Sequence, residues 1–308
     1  MIKRCWTKIF FKIPDNEIII IKNLAVLYLL MLVVSQLFIY PVKSLGGISV
    51  SSATVTEKGF QHDRRWMLVD KNLRFLTQRE FPLMALLQVE LTKNGLKVYH
   101  KEKVNCSIVI PFIPESSEPI TVQIFDETCE ALFANSDADK WFTEMLDIDC
   151  SLVFMPDTFQ RFVDKKYALH NETTGFADAF PFMIIGQASV DDLNKKLPEA
   201  LPMNRFRPSI VFTGGEPYEE DLLRNFMIQG ISFYGVKLCA RCVIPTINQD
   251  NANKSKEPLK TLALYRQKNN KIYFGQNLLV AGTGTISIGD QIEVLEINQS
   301  KAFLFSDH

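Results

Sequence analysis

The chain has 308 residues with 34 basic and 35 acidic side chains, a net charge of −1. This balance excludes the basic excess of a nucleic-acid binder, so any anion site must be a local cluster. Hydrophobic residues at 47% and charged residues at 22% describe a folded globular protein of one large or two ordinary domains, and six cysteines are too sparse for a disulfide framework. The cysteines read as reduced thiols in a reducing compartment, which points to the cytoplasm.

The N-terminal stretch MIKRCWTKIFFKIPDNEIIIIKNLAVLYLLMLVVSQLFIY begins basic and becomes strongly apolar. It has three readings. One is a membrane anchor or uncleaved signal, which would attach the protein to a membrane through residues 1–32. A second is an extension upstream of a start at Met31. In the third, residues 33–42, VVSQLFIYPV, form a core strand, and Leu24–Leu32 is too short to span.

From residue 33 to about 134 the pattern is β. RRWMLVD and LRFLTQRE flank Lys71-Asn72, and LLQVELT and LKVYH flank Asn94-Gly95, a strong hairpin signal. CSIVI, ITVQIF and CEALFA follow as strands. Residues 137–147, DADKWFTEMLD, place Ala138, Trp141, Phe142, Met145 and Leu146 at helical spacing, with Ser136 as the cap. SLVFM reads as a strand. After a polar stretch at 157–174, GFADAFPFMIIG is a strand and SVDDLNKKL a short helix capped by Ser189. RPSIVFTGG is a further strand, PLKTLALYRQ a helix opening at Pro258, and KIYFGQNLLVA and TISIGDQIEVLEI are two closing β segments. Many short strands and few helices predict a barrel-like β fold with helices at its edge, and a soft boundary near 150–175.

The segment KLCARCVIPTINQD, residues 237–250, carries Cys239 and Cys242. A structural zinc site needs four ligands, but a second cysteine pair is missing and the four histidines have no paired spacing. A redox dithiol of the thioredoxin kind opens a helix, which Pro245 and its β-branched neighbours oppose. Two readings stay open. In one, the thiols simply pack at a strand start as small apolar groups. Alternatively, one thiolate beside Arg241 ligates a metal that an organic cofactor brings in.

Three stretches offer a cradle for an anionic cofactor. YPVKSLGG puts Lys43 and Ser44 at the end of the first strand, before a Gly46-Gly47 turn whose N–H groups can approach an anion. HDRRW supplies Arg64 and Arg65. NRFRPS sets Arg205 and Arg207 on one face of an extended segment. Arginine suits bidentate phosphate contacts.

YPVKSLGG, DRRW, RFRPS, CARCVIPTI, EPLKTL, FGQN and GTISIGDQIEVL occur in this order. The set resembles the MOSC-domain proteins over residues 33–297, in particular the molybdenum-cofactor enzymes of the mitochondrial amidoxime-reducing component type and their bacterial relatives. The resemblance implies an α+β, mostly β fold. Residues 1–32 would be the leader, 33–155 a β-rich N-terminal MOSC-type domain, and 156–300 a MOSC β-barrel with peripheral helices.

The resemblance also implies a molybdopterin-type molybdenum cofactor. Cys242 would ligate the metal, Arg241 would contact the pterin, and Lys43, Ser44, Arg64 and Arg207 would hold the phosphate. Arg205 and Asn277 fall at positions near the cofactor, while Cys239 packs. Phe180 stands where relatives carry a smaller polar residue. Asp178 is a candidate proton donor, with a capping or turn role as its alternative.

The implied activity is reduction of N-hydroxylated compounds: amidoximes, hydroxylamines or N-hydroxylated bases. Too few cysteines remain for an appended iron–sulfur domain, so electrons come from a separate donor protein of reductase, ferredoxin or cytochrome type. The alternative is a carrier of molybdenum cofactor or sulfur that performs no substrate reduction. No pyridoxal-phosphate domain is evident to supply that sulfur.

Overall fold

The structure, a computed structural model, describes residues 32–103 and 105–298. The apolar leader lies outside the described residues except for Leu32, which is fully buried. Among the described residues, no helix is long and apolar enough to cross a membrane. The described chain is mostly β, with α-helices at Ser136–Leu146, Gln187–Asn194 and Leu259–Arg266.

The largest sheet runs in the order Ile292–Ile297, Leu223–Ile228, Ile231–Ala240, Lys271–Ala281, Phe182–Gly186, Ile210–Thr213, Val33–Ile39, Ile48–Val50. Gln267–Lys268 adds a short ninth strand against Lys271–Ala281. The expected core strand at 33–42 forms as Val33–Ile39, and with Ile48–Val50 it completes a sheet built otherwise from the second half of the chain.

Alternation decides the two faces of this sheet. Phe182, Ile184, Ile210 and Phe212 point inward to Val34, Leu37, Phe226, Phe233 and Leu278. Ile185 and Val211 point outward, onto Val190, Leu193 and Leu262 of two helices. Each fully buried ring of this kind contributes roughly 1.5–3 kcal/mol.

The sheet curls until the Val34 N–H donates to the Asp290 carbonyl at 2.9 Å and the Ile292 N–H to the Leu32 carbonyl at 2.8 Å. Its end strands, Ile48–Val50 and Ile292–Ile297, are not paired with each other. The expected β-barrel is thus corrected to an open, curled sheet.

The N-terminal half adds a three-stranded meander, Leu87–Leu91, Gly95–His100 and Ser107–Pro111, and a four-stranded sheet. The latter runs Trp66–Val69, Ser151–Phe154, Glu127–Phe133, Ile120–Ile124. Trp66, Met84, Leu96 and Phe142 share one buried cluster there. The Asn94-Gly95 hairpin forms with Leu91 opposite Leu96. A Cβ at Gly95 would sit 2.1 Å from the Ile110 carbonyl oxygen, so the glycine also admits the third strand.

Several local expectations are corrected. The second arm around Lys71-Asn72 is reduced to one bridge, Val69 to Phe75. There the Asp70 carboxylate accepts the N–H groups of Asn72 and Arg74 at 2.8 and 2.9 Å, which ties a turn and ends the ladder. The first helix is capped by Asn135, whose side chain accepts the Ala138 N–H at 2.8 Å, and not by Ser136. Ser189 lies inside a helix that begins at Gln187. Its hydroxyl donates to Glu220 and accepts the Tyr218 N–H, both at 2.7 Å. TISIGDQIEVLEI is two strands, Gly284–Ser287 and Ile292–Ile297, separated by a turn. Sequence reading passed over the hairpin Leu223–Ile228 and Ile231–Ala240. Cys239 consequently sits at a strand end, not a strand start.

Candidate functional site

A cavity of about 250 Å³ opens where several segments flanking the large-sheet strands converge. Lys43 and Ser44 follow Val33–Ile39, Arg207 precedes Ile210–Thr213, residues 177–181 precede Phe182–Gly186, and Cys239 to Cys242 end Ile231–Ala240. Arg64 and Asn277 complete the set. Five cations line the cavity, Lys43, Arg64, Arg207, Lys237 and Arg241, against a single acid, Asp178.

One end is built on Tyr40. The Arg64 and Arg207 guanidinium carbons stand 4.4 and 4.3 Å from its ring centroid. Arg64 is fixed by Asp63, whose carboxylate accepts from Arg64 Nη1 at 2.5 Å and from the Tyr40 N–H at 2.6 Å. Its backbone is pinned too: its N–H donates to the Tyr40 carbonyl, and its carbonyl accepts from the Phe176 N–H. Ser44, Arg64 and Arg207 have φ of 67°, 47° and 55°. Such left-handed non-glycine residues cost roughly 1–3 kcal/mol each and cluster where a site demands a particular aim. Burial lowers the Arg207 guanidinium to about 10 despite the nearby Tyr40 and Asp63.

Lys43 is buried. Its ammonium donates to Asp178 Oδ1 at 2.6 Å and to the Phe176 carbonyl at 2.8 Å. Burial pushes it down to about 8, with Asp178 opposing the fall and Arg161 and Arg79 adding to it. The Asp178 carboxylate also accepts from Arg79. Burial alone would raise Asp178, but Lys43 and Arg79 together hold it well below the usual carboxylate range. Above pH about 8 the Lys43 ammonium loses its charge, so pyrophosphate binding is expected to weaken from pH 7 to 9.5 in calorimetric titration. Lys43→Arg is expected to remove that weakening. Folding stability should move the opposite way: a lysine depressed from 10.5 to about 8 penalises the folded state below pH 8 and is relieved as pH rises to 10.5.

The sulfur end is ordered by Arg241. Its Nη1 donates to Met183 Sδ at 3.1 Å and Cys239 Sγ at 3.3 Å, and its Nη2 to the Phe206 carbonyl at 2.7 Å. Its Nε is buried with no partner. Burial pushes the Cys239 thiol up, with Arg241 opposing. Cys242 lies on the other side of the bend, beside the Arg79 guanidinium and Asp178. After it the chain makes only a short 3₁₀ turn, Ile244–Thr246. Both cysteines are free thiols. Among the described residues, no group of three His, Cys, Asp or Glu could hold a metal, so a metal here needs ligands from elsewhere.

The structure thus brings together Lys43, Ser44, Arg64, Arg207, Asp178, Arg241, Cys242 and Asn277. It does not bring Arg205. That residue ends a 3₁₀ turn, so it shares no extended face with Arg207, and its Nε donates to the Pro245 carbonyl at 2.8 Å beneath the cysteine loop. Arg65 turns away to Met155 and Asp157. The Gly46 N–H is taken by the Leu87 carbonyl, and a Cβ at Gly47 would lie 2.3 Å from the Tyr40 ring. These glycines serve close packing, not an anion nest. Sequence reading missed Arg79 and Lys237. Arg79 was hidden among the charges of TQRE, and Lys237 opens the cysteine segment itself.

The cavity, lined by five cations and one acid with a thiol in its wall, has the charge to suit a small anionic molecule. The MOSC N-terminal beta barrel domain family matches residues 31–149, and the MOSC domain family matches residues 171–293. Mitochondrial amidoxime-reducing component 1 of Homo sapiens is 30% identical over 280 residues, 85% of this chain and 82% of that protein. The Mus musculus protein of the same name is 29% identical over 283 residues, again covering 85% and 82%. Molybdenum cofactor sulfurase of Oryza sativa subsp. japonica is 31% identical over 262 residues, 78% of this chain but 31% of that longer protein. The chain belongs to the MOSC-domain family.

Proposed function

We propose that the protein is a molybdenum-cofactor-dependent oxidoreductase that reduces N-hydroxylated compounds, with electrons from a separate donor protein. The observation that carries this reading is one cavity lined by the cations Lys43, Arg64 and Arg207 together with the thiol of Cys242. Relatives named for amidoxime reduction align over most of the chain, which favours this chemistry over a generic anion site.

The residues suit a molybdopterin-type group. Its phosphate would lie against Lys43, Ser44, Arg64 and Arg207, where charge-assisted hydrogen bonds are strong. The partnerless Arg241 Nε supplies a buried donor for the pterin. A single thiolate, Cys242, suffices for a metal whose other ligands arrive with an organic group. When bound, the cofactor supplies the two-electron reduction of the N–O bond, with two protons taken up and water released. The chain's own residues bind and orient: Asn277 edges the cavity, and Asp178 clamps Lys43 and Arg79. We read Asp178, paired with Lys43 and Arg79, as that clamp.

The test is turnover. Full-length protein from a cofactor-competent host, given benzamidoxime and a dithionite-reduced viologen, is expected to release benzamidine. A second reading, a carrier of molybdenum cofactor or sulfur, is favoured by the sulfurase relative. Bound cofactor with no amidine formed under any donor would select the carrier.

A further inference from the structure

Lys237 is a cavity cation that the cofactor reading does not use. It sits beside Asn277, which in turn sits beside Met183, across three adjacent strands. All three residues line the cavity. The Lys237 Nζ stands 4.3 Å from the Tyr167 ring centroid and 5.8 Å from that of Phe180. The two rings meet edge to face at 5.6 Å, and Phe180 is itself buried in the cavity wall. Among the described residues Lys237 has no hydrogen bond or ion pair from its side chain. The single acid of the cavity is already engaged by Lys43 and Arg79.

The wall segment runs from Asp178, beside Cys242, to Phe180, beside Lys237. A molecule reacting at the thiol end therefore extends along Phe180 toward the ammonium. Phe180 offers an apolar aromatic wall beside the ammonium, and an unneutralised ammonium there favours a negative charge.

We infer that Phe180 and Lys237, the latter held on the Tyr167 ring, form the substrate-specificity wall of this site, and that it selects planar N-hydroxylated substrates bearing a carboxylate. The assignment rests on the reductase reading for the reacting end of the substrate. Lys237 contributes the charge and Phe180 the flat face, so the two are separable by substitution.

The experiment compares 4-carboxybenzamidoxime with its methyl ester, in wild type, Lys237→Gln and Lys237→Arg. Wild type is expected to favour the carboxylate by about tenfold in kcat/KM, the scale of one charge-assisted hydrogen bond. Lys237→Gln is expected to bring that ratio to about one, and Lys237→Arg to restore it. Calorimetric titration of the same three proteins with the same two compounds reads the preference independently of turnover. A tenfold binding preference that Lys237→Gln abolishes, without turnover, would retain the anion wall while the reductase reading fails. Turnover with equal kcat/KM for acid and ester in wild type, or a preference that persists in Lys237→Gln, would overturn the wall and leave the reductase reading standing.

Discussion

Cys242→Ala is expected to lower turnover of an N-hydroxylated substrate by more than about 100-fold, beyond the loss of a merely supporting partner in a metal site. Cys239→Ala is expected to keep most of the activity. The two thiols are three residues apart, yet their surroundings differ. Cys239 accepts from Arg241, and burial keeps it protonated. Both thiols line the cavity, but Cys242 lies beside Arg79. Steady-state kinetics of the two variants under one reduced donor reads the difference. Equal losses would remove the asymmetry on which the assignment of Cys242 rests.

Asp63→Ala is expected to destabilise the protein by about 3–5 kcal/mol, the scale of a buried pair losing one partner. Asp63 is 1% exposed and holds two donors, Arg64 Nη1 and the Tyr40 N–H. Without it, a guanidinium and a backbone N–H lose their acceptor, and Arg64 no longer keeps its place on the Tyr40 ring. Asp63→Asn, which keeps one acceptor, should cost less. Urea unfolding measures the first effect, and pyrophosphate binding measures the accompanying loss at the cation end. A stability change below about 1 kcal/mol with unaltered binding would show that Asp63 does not set Arg64.

Much of the site was legible because it is written in short ordered motifs. Lys43, Arg64, Arg207, Arg241 and Cys242 lie in segments that attract notice for their charge or sulfur, and the fold gathers all five. What alternation implies along a strand failed at Arg205, because the chain there forms a 3₁₀ turn and Arg207 takes a positive φ. Positive φ at Ser44 and Arg64 was equally invisible, since no glycine marks it. Arg79 and Lys237 escaped for another reason. A charged residue in a β-like run reads as solvated, and only the long-range approach of Asp178 and Tyr167 gives these two a role. The open sheet in place of a closed barrel has the same origin. Strand number can be read locally, but whether the sheet's end strands, Ile48–Val50 and Ile292–Ile297, pair is a matter of contact across the whole chain.

Cys242 and the Lys43, Arg64 and Arg207 cluster are proposed to hold one molybdenum cofactor. The most direct measurement is the molybdenum and pterin content of full-length protein from a cofactor-competent host, with Cys242→Ala and Cys239→Ala purified alongside. About one molybdenum and one pterin per chain are expected in wild type and Cys239→Ala, with loss of molybdenum in Cys242→Ala. Absence of both molybdenum and pterin from all three proteins would contradict that assignment.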